Sequence, residues 1–180
     1  LNVLAENKTL LTKLNPNCVL TPHPGEMGRL MGVSSSEIQG DRISFARKMS
    51  EEANCIVVLK GARTVTATPH GELFINPAAI PTLASAGSCD VLAGVVASLL
   101  AYGLHPLQAA VCGVFLHGAS GEVLTLEREG LYGVVASDIS SAVPRVINAL
   151  LRAPEDVALS LKKVLPGSIH SPAVQEPFLS

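Results

Sequence analysis

The chain contains no tryptophan, and aromatic residues occupy only 3% of its 180 positions. That scarcity argues against an aromatic-rich β-sandwich. It leaves Val, Leu, Ile and Ala to fill the interior, a palette suited to helices packed on a buried sheet. A basic block is also missing: 13 basic and 15 acidic residues give a net charge of −2. With aromatics rarely beside Lys or Arg, a nucleic-acid surface has little support. The longest apolar stretch, Val91 to Tyr102, is interrupted by Gly94 and Ser98. It is too short to span a bilayer and reads as a core helix, so no membrane association is expected. Leu1 to Leu11 carries Asn2, Glu6 and Asn7 without a basic start, unlike a signal peptide. The four cysteines, Cys18, Cys55, Cys89 and Cys112, have neither CxxC spacing nor secretory density. Cys18 and Cys55 precede apolar runs, which reads as reduced, buried thiols of a cytosolic protein. No histidines and carboxylates stand at zinc spacing, and no internal repeat is visible. An initiating Met is absent too, and Leu1 falls inside an element.

What is present points to a folded domain. Hydrophobic residues make up 48%, charged residues 16%, and the mean hydropathy is +0.39, which excludes disorder for most of the chain. A chain of this length buries roughly 70% of the surface its unfolded form exposes, enough for a real core. Leu1 to Leu11 has apolar residues at 1, 3, 4, 10 and 11 and reads as a helix. Cys18 to Leu20 reads as a short strand entering Thr21-Pro22-His23-Pro24-Gly25-Glu26, where the prolines forbid regular pairing. Pro24 suits the first turn of a helix over Gly25 to Met31. Ser34 and Glu37 form a capping-box pattern that opens one helix reaching about Ala53, with Ile43, Ala46, Met49 and Ala53 on its apolar face. Cys55 to Leu59 is a continuous apolar run, the mark of a strand covered on both faces. Thr64 to Thr68 and Glu72 to Asn76 flank Pro69-His70-Gly71 as a hairpin. Helices follow over Val91 to Tyr102, from Pro106 to about Leu126, and from Ser137 or Asp138 to Leu151, with Pro144 placed to kink the last. Composition shifts at Arg152. A short helix is expected over 155–165, then a polar end interrupted by Pro166, Pro172 and Pro177. Helix and strand alternating around one hairpin indicate a layered α/β fold.

Three segments carry chemistry. Gly87-Ser88-Cys89-Asp90 is small and turn-like before a helix, whose free N–H groups attract anions. Asp90 there could accept a proton from a hydroxyl attacking phosphorus, or it could simply cap the helix. The rigid Thr21 to Glu26 loop could present His23 to a polar ligand and Glu26 to a metal-bound water, or could be an ordinary Pro-rich turn favouring the macrodipole. Lys60-Gly61-Ala62-Arg63-Thr64 ends a buried strand, where α/β sheets bind ligands, or is a plain turn with solvated bases. His70 reads as a hairpin tip, His105 as a helix cap and His117 as a satisfied core residue.

These segments, in this order, resemble the NAD(P)H-hydrate dehydratase family, the carbohydrate-kinase-like domain of the ribokinase superfamily. The resemblance rests on several stretches. Leu1 to Ala5 resembles the end of an Asp-Ala-Asp-containing motif. Thr21 to Glu26, Val58-Leu59-Lys60-Gly61 with Thr64-Val65, and Gly87-Ser88-x-Asp90-Val91-Leu92-Ala93-Gly94 follow. His117-Gly118-Ala119 and Ala136-Ser137-Asp138 add support. Together they cover residues 1 to about 151 as one domain, with 152–180 as an extension that matches nothing. The resemblance implies a ribokinase-like three-layer α/β/α fold with a mostly parallel central sheet and its N-terminal part missing, so that 180 residues form the C-terminal share of a domain.

It further implies repair of hydrated NADH or NADPH. The S epimer's hydroxyl would be phosphorylated from ADP or ATP, and phosphate would then leave. Asp90 would be the base near the hydroxyl and His23 a contact to the hydrate. Lys60, Gly61, Ala62, Arg63 and Thr64 would hold the AMP portion, and Gly87, Ser88 and Cys89 would form the anion hole. Magnesium would bridge phosphates with no direct protein ligand, Glu26 acting at most through water. A homo-oligomer, an epimerase domain or partner, and a cytoplasmic or, in a eukaryote, mitochondrial location are compatible with it. Two other readings share the same site: a small-molecule kinase of the superfamily acting on a thiazole or pyrimidine alcohol, and a degenerate nucleotide-binding module. Cys89 stands where the family has Gly. If that position needs a left-handed backbone, its Cβ costs about 1–2 kcal/mol, and lowered activity is expected.

Overall fold

The computed structural model describes residues 1–128 and 132–152. The helix expected over 155–165 and the polar end beyond it lie outside these residues. In chain order the elements are α1 (Asn2–Glu6), a 3-10 helix (Lys8–Lys13), β1 (Val19–Leu20), α2 (Pro24–Met31), α3 (Ser35–Gly40), α4 (Arg42–Ala53), β2 (Ile56–Leu59), β3 (Val65–Ala67), β4 (Leu73–Ile75), a second 3-10 turn (Pro81–Ala84), α5 (Ser88–Ala101), α6 (Pro106–Glu127) and α7 (Ala136–Arg152).

The organising element is β2. All four of its residues, Ile-Val-Val-Leu, are buried, as a strand sandwiched between layers must be. Successive side chains alternate faces. Val57 and Leu59 join a cluster with Met27, Leu30, Met49 and Ala53 from α2 and α4. Ile56 and Val58 join Leu92, Val96, Ala110 and Val114 from α5 and α6. Each of these residues stabilises the fold by roughly 1.5–3 kcal/mol through burial. The result is helix, sheet, helix: the three layers expected.

The sheet runs β1-β2-β3-β4. β1 pairs parallel to β2 with Val19 opposite Ile56, while β2–β3 and β3–β4 are antiparallel. Among the described residues the sheet is therefore mixed, where a mostly parallel one was expected. The reason is local: the chain leaving β2 turns straight back through two hairpin connections, which can join only antiparallel strands.

Three expectations need adjustment. The helix expected from Ser34 to Ala53 is two helices. Ser34 caps α3 through the Glu37 amide as the pattern implied, but Asp41 then breaks the run and caps α4 by accepting from the Ser44 amide. Ile43, placed on the apolar face, is exposed, whereas Ala46, Met49 and Ala53 are buried. The N-terminal helix is a five-residue α1 followed by the 3-10 helix rather than one run.

The longest helix, α6, has 22 residues and is apolar enough to cross a membrane by length and composition, but 67% of its apolar window is buried inside the fold. Its small residues permit that packing: a Cβ on Gly113 would lie 2.6 Å from Val96 Cγ2 of α5, and one on Gly121 would lie 2.7 Å from Leu83. α7 runs unbroken through Pro144 and packs Ile139, Ala142 and Val146 against α6. Of the four free cysteines, Cys55 is buried, as expected, Cys18 is only half-buried, and Cys89 and Cys112 are exposed.

Candidate functional site

The loop between β1 and α2 is built by His23 and Glu26. His23 Nδ1 accepts from the amides of Gly25 (3.0 Å) and Glu26 (3.2 Å), and Glu26 Oε2 accepts from the His23 amide (2.7 Å). This is a reciprocal capping box with histidine in the place usually taken by serine or threonine. Pro24 at the first helical position costs nothing there, since that N–H has no helical partner. His105-Pro106 repeats the device at the start of α6, where Nδ1 accepts from the Leu107 amide. Because His23 Nδ1 is an acceptor, an uncharged ring carries its proton on Nε2, which lies 3.6 Å from Glu26 Oε2.

Lys60 follows β2 and is tied to the same loop. Its amide donates to Pro22 O (2.8 Å), and its Nζ, on a side chain only 12% exposed, lies 3.5 Å from Glu26 Oε2. Burial pushes the Glu26 carboxyl up, but the His23 amide and the Lys60 charge outweigh it and hold the carboxyl below its ordinary value. Glu26 thus serves the loop itself. One oxygen is engaged by protein donors, which weakens the expectation that it orients a metal-bound water.

Beyond Lys60 the chain is cramped. Gly61 has φ +146° and Arg63 φ +57°. The Arg63 amide donates to Ala78 O (3.0 Å), and Thr64 Oγ1 donates to Gly61 O (3.0 Å). Arg42, at the first residue of α4, donates Nη2 to Leu59 O (2.9 Å) and Nη1 to Ala62 O (2.5 Å). Arg42 is absent from the residues expected at the site; the sequence signal for it is the Gly40-Asp41 break, which starts a new helix with an arginine in its first turn.

At the start of α5 the N-cap is Gly87, with φ +82° and no side-chain cap. The helix begins three residues earlier than expected, so Asp90 lies inside the first turn and the capping alternative for it falls. Ser88 and Asp90 donate their amides to Ser85 O and Gly87 O. The Cys89 amide has no partner among the described residues, so this helix N-terminus has a free donor for an anion. Cys89 itself is helical and absent from the positive-φ residues; the left-handed residue is Gly87. The expected strain at Cys89 is therefore not there.

Ser88 is buried, and its Oγ and its carbonyl each lie 3.0 Å from His117 Nε2. A carbonyl only accepts, so Nε2 carries the proton. Burial, with a smaller push from the Lys60 charge, lowers the pKa of His117 against the opposing pull of the Ser88 hydrogen bond. The core reading of His117 holds, but the ring is also part of the site wall.

His23, Lys60, Gly61, Ala62, Thr64, Ser88, Cys89 and His117 line one cavity of about 370 Å³. Asn76 closes it from the hairpin side, donating Nδ2 to Val114 O (3.1 Å) and accepting from the Ala78 amide (2.9 Å). Gly87 and Asp90 line a second, more open groove of about 720 Å³ with Gly94, Ser137 and Ser140. The first turn of α5 is the partition between them. Most of the residues singled out from sequence are thus brought together; His23 and Asp90 face different sides of one turn, and Arg63 lines neither space. Among the described residues no group of three or more His, Cys, Asp or Glu could hold a metal ion. A magnesium ion carried by nucleotide phosphates needs no such cage and fits this donor set.

A buried strand ending at a cationic loop, beside a helix N-terminus with a free amide, in a three-layer sandwich, is the ribokinase-like class of α/β protein. A ribokinase-like superfamily protein from Enterococcus faecalis superposes on 82% of this chain with a TM-score of 0.66 and 25% identity, covering 49% of that chain. The chain belongs to the NAD(P)H-hydrate dehydratase family, whose family model matches residues 1–145. A bifunctional NAD(P)H-hydrate repair enzyme from Moorella thermoacetica is 45% identical over 150 residues, which is 83% of this chain and 28% of that protein. An ADP-dependent (S)-NAD(P)H-hydrate dehydratase from Neisseria meningitidis is 38% identical over 76% of this chain and 46% of its own length. The Bacillus subtilis ADP/ATP-dependent NAD(P)H-hydrate dehydratase, co-crystallised with ATP and Mg2+, superposes on 72% of this chain and 47% of that structure with a TM-score of 0.68 and 35% identity. The chain spans less than half the length of these relatives.

Proposed function

We propose that the protein of which this chain forms part dehydrates the S epimer of hydrated NADH or NADPH, using ADP or ATP. The observation that carries the reading is the arrangement around the first turn of α5: Lys60, the free Cys89 amide and His23 share one cavity, and Asp90 stands across the turn from them. Relatives named for this activity support it.

In this reading the Lys60–Thr64 loop holds the AMP portion of the nucleotide. The α5 N-terminus and Lys60 draw in the phosphates, where partial positive charge and free N–H groups stabilise negative charge. Magnesium, bound to the phosphates, would offset their charge during transfer. Asp90 accepts the proton of the hydrate's hydroxyl as its oxygen attacks the terminal phosphorus and the bond to the bridging oxygen breaks. Phosphate then departs from the carbon that bore the hydroxyl, a neighbouring proton is lost, and the ring double bond is restored. The sum is loss of water from the hydrate and cleavage of one phosphate from the nucleotide. His23, its ring fixed by the capping box with Nε2 beside Glu26, would contact the hydrate from the Lys60 side of the turn, opposite Asp90. A homo-oligomer and an epimerase domain or partner are compatible with this reading, and the bifunctional relatives favour the second.

The test is to incubate the full-length protein with NADH hydrate and either ADP or ATP, following the return of reduced-nicotinamide absorbance. Recovery is expected, and Asp90→Asn should slow it by roughly 10²–10⁴-fold. No recovery with either nucleotide refutes the assignment. A stable phosphorylated product would point instead to a kinase of the same superfamily.

A further inference from the structure

Between Leu59 and Thr64 the chain takes two left-handed backbone conformations, at Gly61 and Arg63. Such a loop persists only where its surroundings over-determine it. Two of its peptide units are held from both sides. In the unit joining Leu59 to Lys60, the carbonyl accepts from Arg42 Nη2 and the N–H donates to Pro22 O. In the unit joining Ala62 to Arg63, the carbonyl accepts from Arg42 Nη1 and the N–H donates to Ala78 O. One planar guanidinium therefore fixes both ends of a short arch. Gly61 sits against that guanidinium so closely that a Cβ would lie 3.0 Å from Nη2 and 3.1 Å from Cζ. Between the clamped ends, the amides of Gly61 and Ala62 have no partner among the described residues, and both residues line the cavity.

The position of Arg42 is otherwise unfavourable. It occupies the first turn of α4, where the helix dipole opposes a cation, and its Nε is buried without a partner among the described residues. Helix stability alone gives no reason for an arginine here. From this we infer that Arg42 is a positioning residue for nucleotide binding: it clamps the arch at Leu59 and Ala62 and so leaves the Gly61 and Ala62 amides free to meet the nucleotide. The inference rests on the nucleotide-binding reading of Lys60–Thr64. An ammonium cannot reproduce it, because a lysine lacks the planar fork that spans two carbonyls.

The test compares full-length wild type with Arg42→Ala and Arg42→Lys, the second keeping the charge should the first fail to fold. Hydrogen exchange without nucleotide reads the clamp, and calorimetric titration with ADP and with ATP reads its consequence. In Arg42→Ala the Lys60 and Arg63 amides should exchange at least about tenfold faster and nucleotide affinity should fall by about tenfold or more. In Arg42→Lys affinity should fall by at least about threefold. Millimolar guanidinium should restore part of the Arg42→Ala affinity without changing that of wild type. Wild-type affinity in Arg42→Lys, or faster exchange in Arg42→Ala with unchanged affinity, overturns the inference. A wild-type protein that binds neither nucleotide instead overturns the reading on which it rests.

Discussion

At the scale of single residues, Cys89 shows how backbone and side chain separate. Read as part of a glycine-rich turn, it carried an expected conformational cost. The turn's left-handed residue is Gly87, and Cys89 follows it within α5. Its Cβ strains nothing, yet its exposed side chain stands on the cavity wall beside its own amide, which has no partner among the described residues. The two effects of Cys89→Gly should therefore run in opposite directions. Stability should fall by about 0.1–0.4 kcal/mol, because glycine in a helix costs more backbone entropy than cysteine. Nucleotide affinity should rise, because the thiol no longer crowds the phosphates. Thermal melts and nucleotide titration of the same two proteins separate these outcomes; an affinity that is equal or weaker sinks the crowding argument. Much of the site was legible because motif residues act through their types: a proline after a histidine, a lysine at a strand end, small residues before a helix. Arg42 and Asn76 were not, because each acts on carbonyl groups of a segment far away in sequence, at Leu59, Ala62 and Val114.

At the scale of elements, periodicity carried the reading where one face decides and failed where capping decides. The unbroken apolar run of β2 and the Pro69–Gly71 turn led to the right strand and hairpin. The division between α3 and α4 was missed because their apolar positions keep phase across it; only the Asp41 cap separates them. The mixed sheet has a similar origin, since strand direction depends on connections rather than on strand composition. Helix packing gives a direct test of what small residues do here. Gly94 of α5 has open space where a Cβ would go, whereas at Gly113 of α6 the new Cβ would meet Val96 Cγ2 at 2.6 Å. Alanine improves intrinsic helix propensity at both sites by about 1 kcal/mol. At Gly113 the overlap with a stiff β-branched side chain costs about 1–3 kcal/mol and wins. Gly94→Ala should raise the melting temperature and Gly113→Ala should lower it. Equal shifts in the two variants would mean that α5 and α6 do not approach as closely as described.

At the scale of the whole molecule, three buried or half-buried groups contribute to how stability responds to acid. Burial lowers the pKa of His117, so on acidification the unfolded chain takes a proton before the folded one does. Its contribution is intact above the ordinary histidine pKa of about 6.5 and is lost as pH falls below that value. Glu26, held below its ordinary value by the His23 amide and Lys60 against the effect of burial, acts in the same direction at lower pH. Its contribution fades once pH drops under about 4.5. Glu122 opposes both. Burial alone raises its carboxyl pKa, and Oε2 has no partner among the described residues. The folded state therefore binds a proton there before the unfolded chain does, and stability falls as pH rises through the window above about 4.5. Between about pH 4.5 and 6.5 the His117 and Glu122 effects oppose each other, so the wild-type profile alone cannot apportion them. Two variants can. His117→Gln should lose less melting temperature than wild type between about pH 7.5 and 5.5, because the acid-side penalty is gone. Glu122→Gln should melt higher than wild type at about pH 7.5, since the amide removes a desolvated charge, and should lose that advantage toward about pH 4.5. If His117→Gln keeps the wild-type slope, the acid loss belongs to another group. If Glu122→Gln melts lower at neutral pH, its carboxylate is paired in the folded protein rather than stranded.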